Sequence, residues 1–209
     1  MAKKNILATL FSITDEQAMW RVQAVEDYEA FARLVERWEG PIRELCRRML
    51  GDVHRGEDLK QEAFVRAFEK RKEYQPTGKF STWLWRIALN LCYDELRRIN
   101  RRSESSLEVV TDANDVPPAC IDGATPDQRM VEHEEAEMVR AALMRLPEMY
   151  RAVVVLRHYE NLKLREIAEV LQIPKGTVVT RLADAYARMT RMLEPRINER
   201  STEKEKTIL

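Results

Sequence analysis

Apolar residues recur at helical spacing along most of this chain. Between residues 15 and 102, Tyr28, Phe31, Leu34, Val35 and Trp38 share one helix face, and Gly40-Pro41 marks a break or a new start. Ile42, Leu45, Cys46, Met49 and Leu50 continue on a second helix that Gly51 ends. A third helix, from about His54 to Tyr74, turns Leu59, Ala63, Phe64, Ala67 and Phe68 inward; Gln75-Pro76-Thr77-Gly78 breaks it, and a fourth runs from about Ser81 to Arg101. Residues 103–126 lack a periodic face and hold Pro117, Pro118, Gly123, Pro126 and the acids Glu104, Glu108, Asp112, Asp115 and Asp122, the composition of a linker. Helical pattern resumes at Asp127 through Val139, Leu143 and Leu146, and Pro147 opens another helix with Val153, Val154 and Leu156. Two helices then follow across a short turn. Ile167, Ala168, Val170 and Leu171 stripe the first, Gln172-Ile173-Pro174 ends it, and Val178, Leu182, Ala185 and Met189 form the buried face of the second. Past residue 195 the tail is mostly polar and is expected to fray. No alternating run is long enough for a strand. The expected fold is all-α: two small helical domains, 15–102 and 127–195, joined by a flexible acidic linker, 103–126, the second domain containing a helix-turn-helix.

Composition fits this picture. Charged residues make up 33%, aromatics 7%, and glycine occurs only six times, the profile of a soluble helical protein rather than a sheet protein or a disordered one. Thirty-five basic residues balance thirty-five acidic ones. A protein that held DNA alone through phosphates would be basic overall, so zero net charge argues for segregated charge or for a partner that supplies much of the grip. Cys46, Cys92 and Cys120 are scattered, with no CxxC pair and no histidine at zinc spacing, which favours buried thiols in a reducing compartment. No run approaches the roughly 18 apolar residues of a membrane span. Residues 3–11 faintly imitate a signal peptide, but the apolar core is short and no small-x-small site follows, so a tail or first helical turn is expected there, and the location cytoplasmic.

Three constellations could carry chemistry. Asp58, Gln61 and Glu62 fall at i, i+3 and i+4 and share one face of the third helix. Such acids can mean general acid/base catalysis, a metal site, a solvated face, or a face that docks on arginines of a partner; no histidine or glycine-rich loop supports the first two. Residues 79–98 are dense in aromatics at the start and end with Arg97 and Arg98, followed by Arg101 and Arg102. Bases taken out of a duplex need flat apolar surfaces and edge-reading polar groups, and the backbone needs cations. Trp83 and Trp85 can each be core packing or a base-stacking platform. The third is the outer face of the last helix, Lys175, Thr177, Val179, Thr180, Arg181, Asp184 and Arg188, with hydroxyls and cations near its start, the build of a DNA reader or of a helical hairpin packed in some other protein.

Asp58-Leu59-x-Gln61-Glu62, then Phe80-Ser81-Thr82-Trp83-Leu84-x-x-Ile87-Ala88-x-Asn90, then Asp94-x-x-Arg97-Arg98 resembles the second conserved domain of bacterial extracytoplasmic-function sigma factors. Glu166-Ile167-Ala168 and Pro174-x-Gly176-Thr177-Val178-x-x-Arg181-Leu182 resemble their fourth domain, and Leu146-Pro147-x-x-Tyr150-Arg151 the helices before it. The resemblance implies a promoter-specificity subunit of RNA polymerase, not an enzyme and without a cofactor. It implies that Asp58, Gln61 and Glu62 dock on the beta-prime clamp of a core that also offers its beta subunit. Lys79, Phe80 and Ser81, with Trp83, would capture a flipped non-template base of the minus-ten element, and Asn90, Arg97 and Arg98 would hold that strand or the duplex edge. Lys175, Thr177, Val179, Thr180 and Arg181 would enter the major groove at the minus-thirty-five element. The family's further partner is an anti-sigma protein that clasps the two domains.

One departure stands out. The family usually has a basic residue where this chain has Val179, and more where it has Asp184 and Tyr186; an apolar Val179 can meet a thymine methyl instead. The competing reading is a helix-turn-helix regulator that acts as a dimer without polymerase, which leaves the Asp58-Gln61-Glu62 face unexplained. An enzyme comes third: His54, His133 and His158 are isolated, and no nucleotide loop or HExxH occurs.

Overall fold

The computed structural model describes residues 13–75, 78–105 and 126–207. Helix α1 (Asp15–Val25) starts at Thr14, whose hydroxyl accepts the Gln17 N–H at 3.2 Å while the Gln17 side chain accepts the Thr14 N–H at 3.1 Å. Two orphan donors of the first turn are thereby satisfied reciprocally. Asp27 caps α2 (Tyr28–Leu50) and Asp52 caps α3 (Val53–Glu69), each through a backbone N–H at 2.9 Å. A 3₁₀ turn (Arg71–Glu73) leads towards α4 (Phe80–Ser105). The second half comprises α5 (Pro126–Met144), α6 (Glu148–Val154) continued by one π-helical turn (Val155–Tyr159), α7 (Leu164–Leu171) and α8 (Lys175–Thr207). Among the described residues there is no strand. Of the expected linker, 103–126, residues 103–105 continue α4 and Pro126 opens α5, while 106–125, with Cys120, lie outside the described residues, as does the signal-like stretch at 3–11.

Gly40-Pro41 does not break the chain. Pro41 lies inside α2, which runs unbroken for 23 residues. The missing N–H and the ring clash cost about 3 kcal/mol. Leu34, Ile42, Leu45, Cys46 and Met49 are all buried along one face of that helix. Each large aliphatic burial is worth about 1.5–3 kcal/mol, so the continuous face outweighs the proline. The expected tail also differs, because α8 continues helical to Thr207.

Helices α2 and α3 meet almost backbone to backbone. A Cβ at Gly56 would lie 2.9 Å from the Arg47 nitrogen, closer than atoms pack, so only glycine fits this crossing. The core of the first half closes with Phe64, Phe80, Leu84 and Leu89, and that of the second with Leu143, Leu146, Val153, Leu156, Ile167, Val178 and Leu182. Cys46 and Cys92 are buried free thiols; the neighbouring Cys46 thiol and then burial push Cys92 well above the usual value. Both are packing residues, and the raised Cys92 thiol is poor in thiolate.

The two halves close on each other. The Arg151 guanidinium, buried, donates across to the Met49 carbonyl near the end of α2 and to the Met144 and Leu146 carbonyls of its own half at 2.5 and 3.0 Å. Gly51, with φ +76°, leaves room for Met144, whose sulfur would be 2.7 Å from an added Cβ. Arg48 lies 4.2 Å over the Tyr159 ring.

Glu160 sits in this seam. Burial pushes its carboxyl from 4.5 up to about 7, against the opposing effect of Arg48 and with the help of Glu44. The folded state therefore keeps a proton that the unfolded chain releases, and the stability this proton carries is present below pH 4.5 and lost as pH rises through 7. With the side chain only half-buried, the discounted cost at pH 8 is about 1–2 kcal/mol. Glu160→Gln is expected to melt like the wild type at pH 5 and about 3–6 °C higher at pH 8, in paired thermal melts.

Candidate nucleic-acid and docking interfaces

Asp58, Gln61 and Glu62 stand exposed together on α3, while Leu59, Ala63, Phe64 and Ala67 of the same helix are buried. Asp58 pairs loosely with Arg55 at 3.6 Å, and Glu62 accepts from Arg66 at 2.7 Å. These are solvent-exposed pairs worth less than about 1 kcal/mol, so the side chains are available to a partner. Val65, 55% exposed, continues the stripe at spacings of four and three after Asp58 and Glu62. No motif in the sequence points to it, although the helical spacing marks it. Behind the face, Arg55 donates at 2.6 Å to the buried Glu95 carboxylate, whose other oxygen lies 3.5 Å from Arg98.

The segment expected to capture a base divides into exposed and buried members. Lys79 is exposed and Ser81 half-buried at the start of α4. Phe80, expected beside them at the DNA, is fully buried, with Tyr74 and Trp83 rings 6.0 Å from its own. Its position as the first residue of α4 turns the ring into the core. Phe80 therefore supports the loop from beneath and presents no face to a base. Trp83 is half-buried, 5.3 Å from Tyr74, whereas Trp85 is core, edge-on to Trp38 at 5.8 Å. Asn90, Arg97 and Arg98 are exposed, Arg97 against Asp94 at 3.2 Å.

In the helix-turn-helix, Gln172 takes a left-handed conformation, φ 54°, and releases the chain into α8. Ile167, Val170, Val178, Leu182 and Ala185 are buried between the two helices. Lys175, Val179 and Thr180 are exposed; Thr177 and Arg181 are half-buried. The Thr180 hydroxyl donates back to the Gly176 carbonyl at 3.1 Å. Tyr186 is bound to His158 at 2.6 Å, and the Arg188 guanidinium lies 4.8 Å over the Tyr150 ring. Arg188 is thus already engaged, and the outer face is poorer in free cations than the sequence suggests.

The surfaces face each other. Lys79 donates to Glu166 of α7 at 2.6 Å; that bond raises the Lys79 ammonium and lowers the Glu166 carboxyl from their ordinary values. Arg86 donates to the Glu169 carbonyl at 2.8 Å. Beside these contacts a cleft of about 250 Å³ is lined by Arg86, Asn90 and Arg97 from α4, Glu148 from α6, and Arg181 from α8. Arg86 and Tyr93, on its wall, are further polar groups that no sequence motif singles out. They follow Lys79, Asn90 and Arg97 along one side of α4.

Residues 34–102 match Sigma-70 region 2, and residues 136–189 match Sigma-70, region 4. The chain is 40% identical over 158 residues to the ECF RNA polymerase sigma factor SigW of Bacillus subtilis, spanning 75% of this chain and 84% of that one. It belongs to the extracytoplasmic-function sigma factors. The RNA polymerase sigma-H factor of Pseudomonas aeruginosa is 32% identical over 191 residues, 90% of this sigma factor and 99% of its relative. By structure, the fold matches CnrH in complex with the cytosolic domain of CnrY (TM-score 0.63, 22% identity, 87% of this chain and 97% of that one). It also matches RpoE in complex with the anti-sigma factor NepR from Bartonella quintana (TM-score 0.64, 20% identity, 78% and 96%). Sigma factors are transcription initiation factors rather than enzymes, and the polymerase-independent dimer is not favoured. Among the described residues, no helix of this sigma factor is long and apolar enough to cross a membrane.

Proposed function

We propose that this sigma factor divides its work between two modules, residues 15–102 and 127–195, joined by 103–126. Asp58, Gln61 and Glu62 dock on the beta-prime clamp of core RNA polymerase. Lys79 and Ser81, with the exposed edge of Trp83, hold a flipped non-template base of the minus-ten element, while Asn90, Arg97 and Arg98 grip the strand. Lys175, Thr177, Val179, Thr180 and Arg181 read the minus-thirty-five element. Melting draws its free energy from preferential binding of the unstacked strand, so no cofactor is needed.

The observation that carries the reading is that Asn90 and Arg97 from one module and Arg181 from the other line a single cleft, with Lys79 tied to Glu166 beside it. Elements centred about 25 base pairs apart lie about 85 Å apart on duplex DNA. The closed form cannot touch both, and docking on polymerase must separate the modules. The stretch between Ser105 and Pro126, 21 residue steps, reaches at most about 70 Å, and the widths of the modules supply the remainder. In the cytoplasm, an anti-sigma protein that favours the closed form is the further partner this reading supports.

The test is transcription by core polymerase with this protein from a randomised duplex library. Starts are expected to converge on two sequence blocks at one spacing. Val179, 48% exposed, is expected to prefer a thymine methyl. Val179→Lys should alter the upstream block alone and steepen the salt dependence by about one unit of slope. An unchanged upstream block and slope would contradict the role given to α8.

A further inference from the structure

The loop from Tyr74 to Phe80 is braced by a helix that lies outside both matched family regions. Gln23 of α1 donates both protons of its carboxamide, to the Arg71 carbonyl at 2.5 Å and to the Tyr74 carbonyl at 2.7 Å. The Arg71 carbonyl also accepts the Tyr74 N–H at 3.3 Å, and the Tyr74 carbonyl lies just past the end of the 3₁₀ turn. The Tyr74 hydroxyl donates to the Gly78 carbonyl at 2.7 Å and closes the loop from behind. At the far side, a Glu16 carboxylate oxygen accepts the Phe80 N–H at 3.2 Å. An orphan donor at the start of α4 is thereby capped by an acid from another helix, where the helix dipole favours negative charge. Both ends of the loop are thus held by α1.

The packing of α1 itself is carried by other residues. Ala18, Met19 and Val22 are buried and anchor it to the core. Glu16 and Gln23 are only half-buried and lie beside that stripe, where their polar atoms meet loop backbone. We propose that Glu16 and Gln23 are positioning residues that hold the two ends of the minus-ten capture loop, so that α1 helps set which base the sigma factor accepts. A polar site discriminates only when its groups are held within about 0.5 Å, and this bracing supplies that constraint to Lys79 and Ser81. The inference rests on the reading of Lys79 and Ser81 as base-capturing groups.

The experiment uses holoenzyme assembled from the full chain and core RNA polymerase, acting on pre-melted templates whose non-template bubble is randomised. The readout is the ratio of the best to the second-best base at the most selective position, which does not depend on how much enzyme is active. Gln23→Met keeps the length and loses both donors; Glu16→Met loses the acceptor; Glu16→Gln keeps an acceptor oxygen. The first two are expected to flatten the preference about tenfold, with core affinity held within about twofold, and Glu16→Gln to retain the preference within about twofold. Should one methionine variant fail to fold, the other decides the matter. Lys79→Ala and Ser81→Ala are run beside them. If these flatten the preference while Gln23→Met and Glu16→Met leave it within twofold, the bracing role is overturned and the capture loop stands. If none of the four changes it, the loop assignment itself falls. A uniform loss on every template with the preference retained marks a merely structural role and also overturns the proposal.

Discussion

Replacing Asp58, Gln61 and Glu62 together with alanine is expected to abolish core polymerase binding and leave the helical fold intact. The three side chains are exposed on α3, and their intramolecular pairs, Asp58 with Arg55 at 3.6 Å and Glu62 with Arg66 at 2.7 Å, are surface pairs. Losing them costs less than about 1 kcal/mol, part of which alanine returns through its better helix propensity. The buried side of the helix is untouched. At the docked interface the balance is different. Truncating one member of a desolvated charge pair costs about 2–5 kcal/mol, because the partner cation is left without its counter-charge. Even with strong non-additivity, the loss of two acids and an amide should amount to about 4 kcal/mol, roughly a thousandfold in Kd. Titration of labelled core polymerase, beside a circular dichroism melt, checks both halves of the expectation. Binding retained within tenfold would move the docking face elsewhere.

The second large effect belongs to Arg151. The residue is 8% exposed and its guanidinium satisfies three carbonyls, those of Met49, Met144 and Leu146, so one side chain ties the end of α2 to the turn that opens α6. Burial pushes the guanidinium down from its ordinary value, with Glu148 opposing, yet arginine remains charged at any working pH. Arg151→Met keeps comparable volume but strands the three acceptors, each of which costs about 1–3 kcal/mol when buried without a donor. A loss of about 3–5 kcal/mol follows, a fall of roughly 10–15 °C in the thermal midpoint. Lysine should recover only part of it, since one ammonium cannot span the fork. A midpoint within 3 °C of the wild type would show that these carbonyls find other donors.

Much of this architecture could be read from local pattern. The stripe of Ile167, Val170, Val178, Leu182 and Ala185 foretells two helices packed face to face, and Gly51 marks the end of α2 through its positive φ. What the pattern hid was tertiary. Pro41 looks like a boundary because local propensity disfavours it, and only the buried face on both sides of it carries the helix through. Phe80 sits in a motif whose neighbours are exposed, and the direction of the first turn of α4, not its spacing, buries the ring. The π turn at Val155–Tyr159 follows an unbroken apolar run that fits any helix type. The pairs that decide the closed form, Lys79 with Glu166 and Arg151 with Met49, join residues 87 and 102 positions apart and leave no periodic trace. The proposed docking and DNA-facing roles come from the resemblance; what spacing alone marks is that Asp58, Gln61 and Glu62 share a helix face that no local core requires.

The division of labour between the modules is tested most directly by equilibrium binding of a fluorescent non-template strand from a selected promoter, and of the intact duplex, to the full chain with and without core polymerase. The predicted result is a one-to-one complex of chain and core that binds the single strand tightly, and a monomeric free chain that holds neither DNA. A chain that ignores core polymerase and grips the intact duplex as a twofold pair would contradict it.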